Sequence, residues 1–187
     1  MEHTAGLRLA VLPGLFAERR AVTFDDVVVG FQDEVFGLAL RITGDRDAAG
    51  DVTSRVFVKA YRAFDRYEPG RPMRNWLLTI AVRESITEGR RATREQARRA
   101  SETAAAAVTA PEHEEPEAVA VDREERERIR RAVASLPELY RIPVVLRYFN
   151  DLSLDEIAQV TGRPRATVGV QLLRARALLR EALGETR

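Results

Sequence analysis

Between Arg163 and Arg180 the chain carries five arginines (163, 165, 174, 176 and 180) and no acidic residue. Guanidinium groups set along one helix can neutralise phosphates, and side chains at the start of such a helix can reach base edges. A second basic cluster, Arg83, Arg90, Arg91, Arg94, Arg98 and Arg99, lies near the break Phe64-Asp65-Arg66-Tyr67-Glu68-Pro69-Gly70-Arg71-Pro72. Aromatics beside arginines suit capture of unpaired nucleic acid, in which bases stack on rings and phosphates meet guanidinium groups. Tyr67, in the loop, is the stacking candidate, whereas Trp76 is in phase with Ile80 and reads as core. The competing reading of either cluster is a solvated arginine face on an amphipathic helix.

Little else in the chain could do chemistry. No cysteine is present, which removes disulfides, thiolate zinc sites and a cysteine nucleophile and fits a reducing compartment. The two histidines, His3 and His113, both stand in polar sequence and are poor candidates for a metal or acid/base site. Carboxylates abound, but none is paired with a His, a Cys or a glycine-rich phosphate loop, so an enzyme is the least supported class and no cofactor or metal is expected. Thirty basic against 29 acidic residues leave a formal charge of +1, so any DNA-binding surface must come from local segregation of charge.

The elements that position these arginines read as helices throughout. From Thr23 the residues Phe24, Val27, Val28, Phe31, Val35, Leu38, Ala39 and Ile42 recur at three- and four-residue steps, with Thr23 as cap and Gly44 as terminator. Asp45 caps a second helix to about Phe64 with Ala49, Val52, Val56, Phe57 and Ala60 inward, and a third runs from about Met73 to Arg91 with Trp76, Leu77 and Ile80 inward. The stretch Ser101 to Val121 has Ala repeats, two prolines, five glutamates (102, 112, 114, 115, 117) and no Lys or Arg, which reads as an acidic linker. Beyond it Ser153 and Glu156 have capping-box spacing ahead of Ile157, Ala158 and Val160; Thr161-Gly162 breaks the helix, and Pro164 opens a longer one with Val168, Leu172, Ala175 and Leu179 on one face. A short helix, a Gly-containing turn and a longer second helix make a helix-turn-helix. No internal repeat is found. The apolar run Leu7 to Phe16 is interrupted by Pro13 and Gly14 and does not read as a secretory signal, and no segment approaches the roughly 20 apolar residues of a membrane span.

With these residues in view, the chain resembles the extracytoplasmic-function (ECF) sigma factors of the sigma-70 family. Phe24 to Arg91 is similar to their first conserved domain, through Gly44-Asp45, Phe57-Val58-Lys59-Ala60-Tyr61-Arg62-Ala63-Phe64, Pro69-Gly70-Arg71-Pro72 and Trp76-Leu77-Leu78-Thr79-Ile80-Ala81. Arg128 to Leu183 is similar to their second, through Leu136-Pro137, Val145-Leu146-Arg147-Tyr148-Phe149, Leu152-Ser153-Leu154-Asp155-Glu156-Ile157-Ala158 and Arg174-Ala175-Arg176. The resemblance implies an all-α protein of two small helical domains: an N-terminal extension over 1–22, a three-helix sigma domain 2 over 23–99, the linker over 100–121, and a helix-turn-helix sigma domain 4 over 122–187.

It also implies a division of labour in a cytoplasmic protein, nucleoid-associated when bound to polymerase. Asp47, Asp51, Ser54, Arg55 and Phe57 would dock RNA polymerase core, on the coiled coil of its largest subunit. Arg66, Tyr67, Arg71, Arg74, Arg83, Arg90 and Arg91 would hold the melted minus-ten element. Arg163, Arg165, Thr167, Gln171 and Arg174 would meet the minus-thirty-five duplex of promoter DNA, with the polymerase flap beside this domain. The linker would thread toward the RNA path, an anti-sigma factor is a further partner of such proteins, and no membrane is involved.

Several positions depart from the family pattern. Ser54-Arg55 replaces a Gln-Glu pair and puts a positive charge on the docking face; Arg83 and Thr87 stand where Asn and Asp are common. Pro164, Gly169, Val170 and Gln171 stand where Ser, Lys, Ser and Arg are frequent. Because Gln pairs bidentately with adenine and Arg prefers guanine, Gln171 predicts an adenine in the minus-thirty-five element. Two rivals remain: a stand-alone helix-turn-helix regulator, which leaves the aromatic-basic loop and linker without a role, and a sigma-like decoy that binds polymerase without starting transcription.

Overall fold

The computed structural model of the chain describes residues 23–67, 70, 72–102 and 120–184. The N-terminal extension, Arg71 and linker residues 103–119 therefore lie outside the described residues. Within them the chain forms α1 (Phe24–Thr43), α2 (Arg46–Ala63), a 3-10 turn (Phe64–Arg66), α3 (Met73–Glu102), α4 (Ala120–Ser135), α5 (Glu138–Tyr148), α6 (Leu154–Thr161) and α7 (Arg165–Ala182).

The helix ends fall where side chains can satisfy backbone groups that the helix itself cannot. Thr23 and Asp26 form a reciprocal capping box at the start of α1, and the Asp45 carboxylate accepts from the Ala48 N–H at the start of α2. Gly44, at φ 75°, ends α1 in the left-handed conformation that a residue without Cβ adopts at no steric cost. Helix α3 continues eleven residues past the expected end at Arg91, because no Pro or capping residue stops it before Glu102.

α1, α2 and α3 pack on one another, and α4 to α7 form a second helical unit. Val35, Leu38, Val52 and Val56 fill the first unit, while Ile142, Leu146, Leu152, Ile157 and Val168 fill the second. The two groups belong to one continuous apolar cluster, since α5 packs against α1 and α6 against α3. Helix α5 is sandwiched between layers: Ile142, Pro143, Val144, Val145 and Leu146 are all buried. Five consecutive buried residues span more than one helical turn, so this stretch is covered on all sides.

Polar groups stitch the same seam. Arg74 of α3 donates from Nε to both carboxylate oxygens of Glu34 in α1, at 2.9 and 3.0 Å, and reaches across to the Asn150 carbonyl. The Asn150 amide, buried in the turn between α5 and α6, donates back to Glu34 at 2.9 Å. Arg141 of α5 donates to the Ile42 carbonyl at 2.8 Å, satisfying one of the last carbonyls of α1. The Arg41 guanidinium sits over the Phe149 ring, 4.5 Å from its centroid.

Candidate nucleic-acid interface

The helix-turn-helix is built by local chemistry. Ser153 accepts from the Glu156 N–H while the Glu156 carboxylate accepts from the Ser153 N–H, so α6 begins in a closed capping box. These bonds, backbone first, with Asn75 and Arg74 adding to them, hold the Glu156 carboxyl below its ordinary value. Gly162, at φ 67°, makes the turn, and Arg165 starts α7 with its guanidinium 3.0 Å from Asp155 on the preceding helix.

α7 buries Val168, Gln171, Leu172 and Ala175. The expectation that Gln171 faces DNA is corrected here: the side chain is 6% exposed, and its Oε1 accepts from Arg163 at 3.2 Å. Arg163 is likewise turned to structure. Pro143 interrupts α5 without an N–H, so the Leu139 carbonyl four residues earlier lacks its helical donor, and Arg163 donates to it at 3.3 Å. Arg165, Thr167 and Arg174 are exposed along α7.

On the first unit, Arg83, Arg90, Arg91 and Arg94 are exposed and follow each other at helical steps along α3. The Arg83-to-Arg94 ridge is roughly 17 Å long at 1.5 Å per residue. Arg98 and Arg99 instead bracket Glu95, at 2.8 and 3.1 Å, and their hydrogen bonds hold the Glu95 carboxyl below its ordinary value. Arg66 is exposed on the 3-10 turn. Tyr67 is not a presented platform: it is 6% exposed, against Trp76 at 5.2 Å between centroids. Arg74, expected to meet DNA, is committed to Glu34 and Asn150; the Glu34 hydrogen bond, despite burial, raises its guanidinium above the ordinary value. Arg71 lies outside the described residues.

Helix α2 carries the residues expected to dock core polymerase. Arg55 does not project an uncompensated charge, since it pairs with Glu88 at 2.5 Å and lies 3.7 Å from Glu84, while Lys59 also pairs with Glu84. Phe57 is half-buried and meets Phe24 edge-on at 6.5 Å. Asp47, Asp51 and Ser54 are exposed on one face, and Val58 and Tyr61 continue it, 50% and 67% exposed. Sequence reasoning missed those two, although their i, i+4, i+7, i+11 and i+14 spacing from Asp47 was the available signal.

Among the described residues no cluster of His, Cys, Asp or Glu could hold a metal ion, and no helix is long and apolar enough to cross a membrane. The family model for Sigma-70 region 2 matches residues 27–95, and that for Sigma-70 region 4 matches residues 126–179. Among curated relatives, the ECF RNA polymerase sigma-E factor of Escherichia coli is 32% identical over 82% of this chain and 82% of its own length. The RNA polymerase sigma-H factor of Pseudomonas aeruginosa is 31% identical over 86% of each chain. ECF sigma factor SigW of Bacillus subtilis is 28% identical over 86% of this chain and 88% of its own. The fold is similar to that of the sigma factor RpoE crystallised with the anti-sigma factor NepR from Bartonella quintana, with TM-score 0.69 and 21% identity over 88% of this chain and 98% of that one. It is also similar to CnrH in complex with the cytosolic domain of CnrY, with TM-score 0.62 and 24% identity over 91% and 92%.

Proposed function

This chain belongs to the sigma-70 family as an ECF-type RNA polymerase sigma factor, a promoter-directing initiation factor and not an enzyme, and from that premise we propose how its two units share the work. The exposed face of α2, Asp47 to Tyr61, docks core polymerase. The arginine ridge of α3 with Arg66 holds the minus-ten strand, and Arg165, Thr167 and Arg174 of α7 meet the minus-thirty-five duplex. The observation that carries this division is that each unit presents its own arginine-lined helix to solvent while its core is closed behind it.

The described arrangement is a resting form. Elements 25 base pairs apart are separated by roughly 85 Å at about 3.4 Å per pair. A compact chain of this length has a radius of gyration of roughly 16 Å. One such body cannot touch both elements, so binding to polymerase separates the units and frees Arg74 from the Asn150 carbonyl, while its pair with Glu34, inside the first unit, is kept. The 17 residues 103–119 can reach roughly 58 Å when extended, enough with the width of each unit to span the spacer. The acidic stretch follows the RNA path, and neutralising its five glutamates alters the ratio of abortive to productive transcripts. An anti-sigma factor that grips the packed units would hold them shut; the setting is the cytoplasm, with the polymerase-bound form on the nucleoid.

Transcription in vitro with purified core polymerase on a promoter library tests the reading. Promoter-dependent transcripts are expected; core binding without transcripts would make the chain a decoy, and no core binding a stand-alone regulator.

A further inference from the structure

With Gln171 turned inward, the bases must be met by what α7 presents outward. Opposite the buried stripe stand Ala166, Val170, Leu173 and Ala177, at steps of four, three and four residues, which is one face of a helix. All four are exposed, Val170 by 48% and Leu173 by 61%. No hydrogen-bonding side chain occupies this pole. Arg174 borders it on one side, Arg176 and Arg180 on the other, so cations flank an apolar strip. Charge on both edges fits the two phosphate backbones of a groove, and it fits poorly with a purely apolar partner surface.

In the major groove each base pair shows a distinct pattern, and one base edge alone is apolar there, the C5-methyl of thymine. An aliphatic side chain gains by burying that methyl and gains nothing from a guanine or cytosine edge. We propose that Val170 and Leu173 read thymine methyls in the minus-thirty-five duplex, making them specificity-determining residues of this sigma factor. The inference rests on the proposed placement of α7 in that duplex. Val170 and Leu173 lie three residues apart, so their Cα atoms are separated by about 4.5 Å along the axis. They therefore address neighbouring base pairs, with Ala166 leaving room at the helix start. The readout replaces the adenine contact expected of Gln171: selectivity comes from adjacent methyl groups rather than from a bidentate amide.

The test uses the full-length chain with core polymerase on a promoter taken from the library, with each minus-thirty-five thymine on either strand replaced singly by deoxyuridine, which removes only the methyl. The wild-type holoenzyme should lose about fourfold in affinity at one or two positions, the worth of one buried methyl-sized group. Val170→Ala, on an exposed face where Ala is the better helix former, should bind thymine and uracil duplexes equally at one of those positions, and Leu173→Ala at the other. Promoter selection with indifference to every thymine-to-uracil change overturns the inference and leaves the initiation reading intact. So does methyl sensitivity retained at every position in both variants, which would show that neither side chain meets those methyls. Failure to select any promoter removes both together.

Discussion

Substituting Glu34 by Ala should shift the isolated chain toward separated units. The Arg74–Glu34 pair lies within the first unit, so only the bond from the Asn150 amide to Glu34, at 2.9 Å, is lost directly across the seam. Asn150 is 4% exposed and its Oδ1 has no hydrogen-bond partner among the described residues, so without Glu34 the whole side-chain amide is left unsatisfied in the packed form and is hydrated only in the open one. A hydrogen bond to a charged group contributes about 1.5–3 kcal/mol. Glu34 is partly solvated, at 24% side-chain exposure, so screening trims this to roughly 1–2 kcal/mol. That corresponds to about a 5- to 30-fold rise in the open-to-packed ratio. The chain has no native cysteine, so Gln32→Cys and Gln159→Cys, both exposed, can carry a dye pair for single-molecule energy transfer. A larger low-transfer population in the Glu34→Ala background is expected. An unchanged distribution, with an unchanged melting temperature, would refute the assignment of this cluster as the seam's polar clasp.

The remaining expectations concern single positions. Arg163→Ala removes the donor to the Leu139 carbonyl and to Gln171, and should cost about 1 kcal/mol in thermal unfolding while leaving Arg165 and Arg174 of α7 in place. Gly162→Ala places a Cβ at φ 67° and should cost about 1–2 kcal/mol, read as a melting temperature lower by about 2–8 °C. Glu156 has a folded value below its ordinary 4.5, so its contribution to stability is present above that value and is lost as pH falls through the folded value; Ser153→Ala should flatten this acid limb in a pH series of unfolding curves.

The sequence makes the local signals legible: Thr23, Asp45 and the Ser153–Glu156 pair cap helices, and Gly44 and Gly162 end them, because each acts within three or four residues of itself. Partners distant in sequence are not legible in that way. Arg74 reads as one more arginine beside an aromatic loop, and its two partners come from 40 and 76 residues away. Gln171 sits at the edge of a correctly read apolar stripe; what turns it inward is Arg163, whose own direction depends on a carbonyl in α5. The run Ile142 to Leu146 did carry a signal for the seam, since five buried residues in sequence imply cover on more than one side. The end of α3 is not legible at Arg91, since no Pro or Gly stands between it and Glu102 to stop the helix.

Pro143 and Arg163, twenty residues apart, are two halves of one arrangement: the proline withholds an amide hydrogen and the arginine supplies its replacement. An ordinary residue at 143 would restore the helical donor and leave the arginine with Gln171 alone; an alanine at 163 costs more while the proline is present. The tolerance of each site to change therefore depends on the other, and the arginine ahead of α7 is held there by the geometry of a neighbouring helix, independently of any promoter.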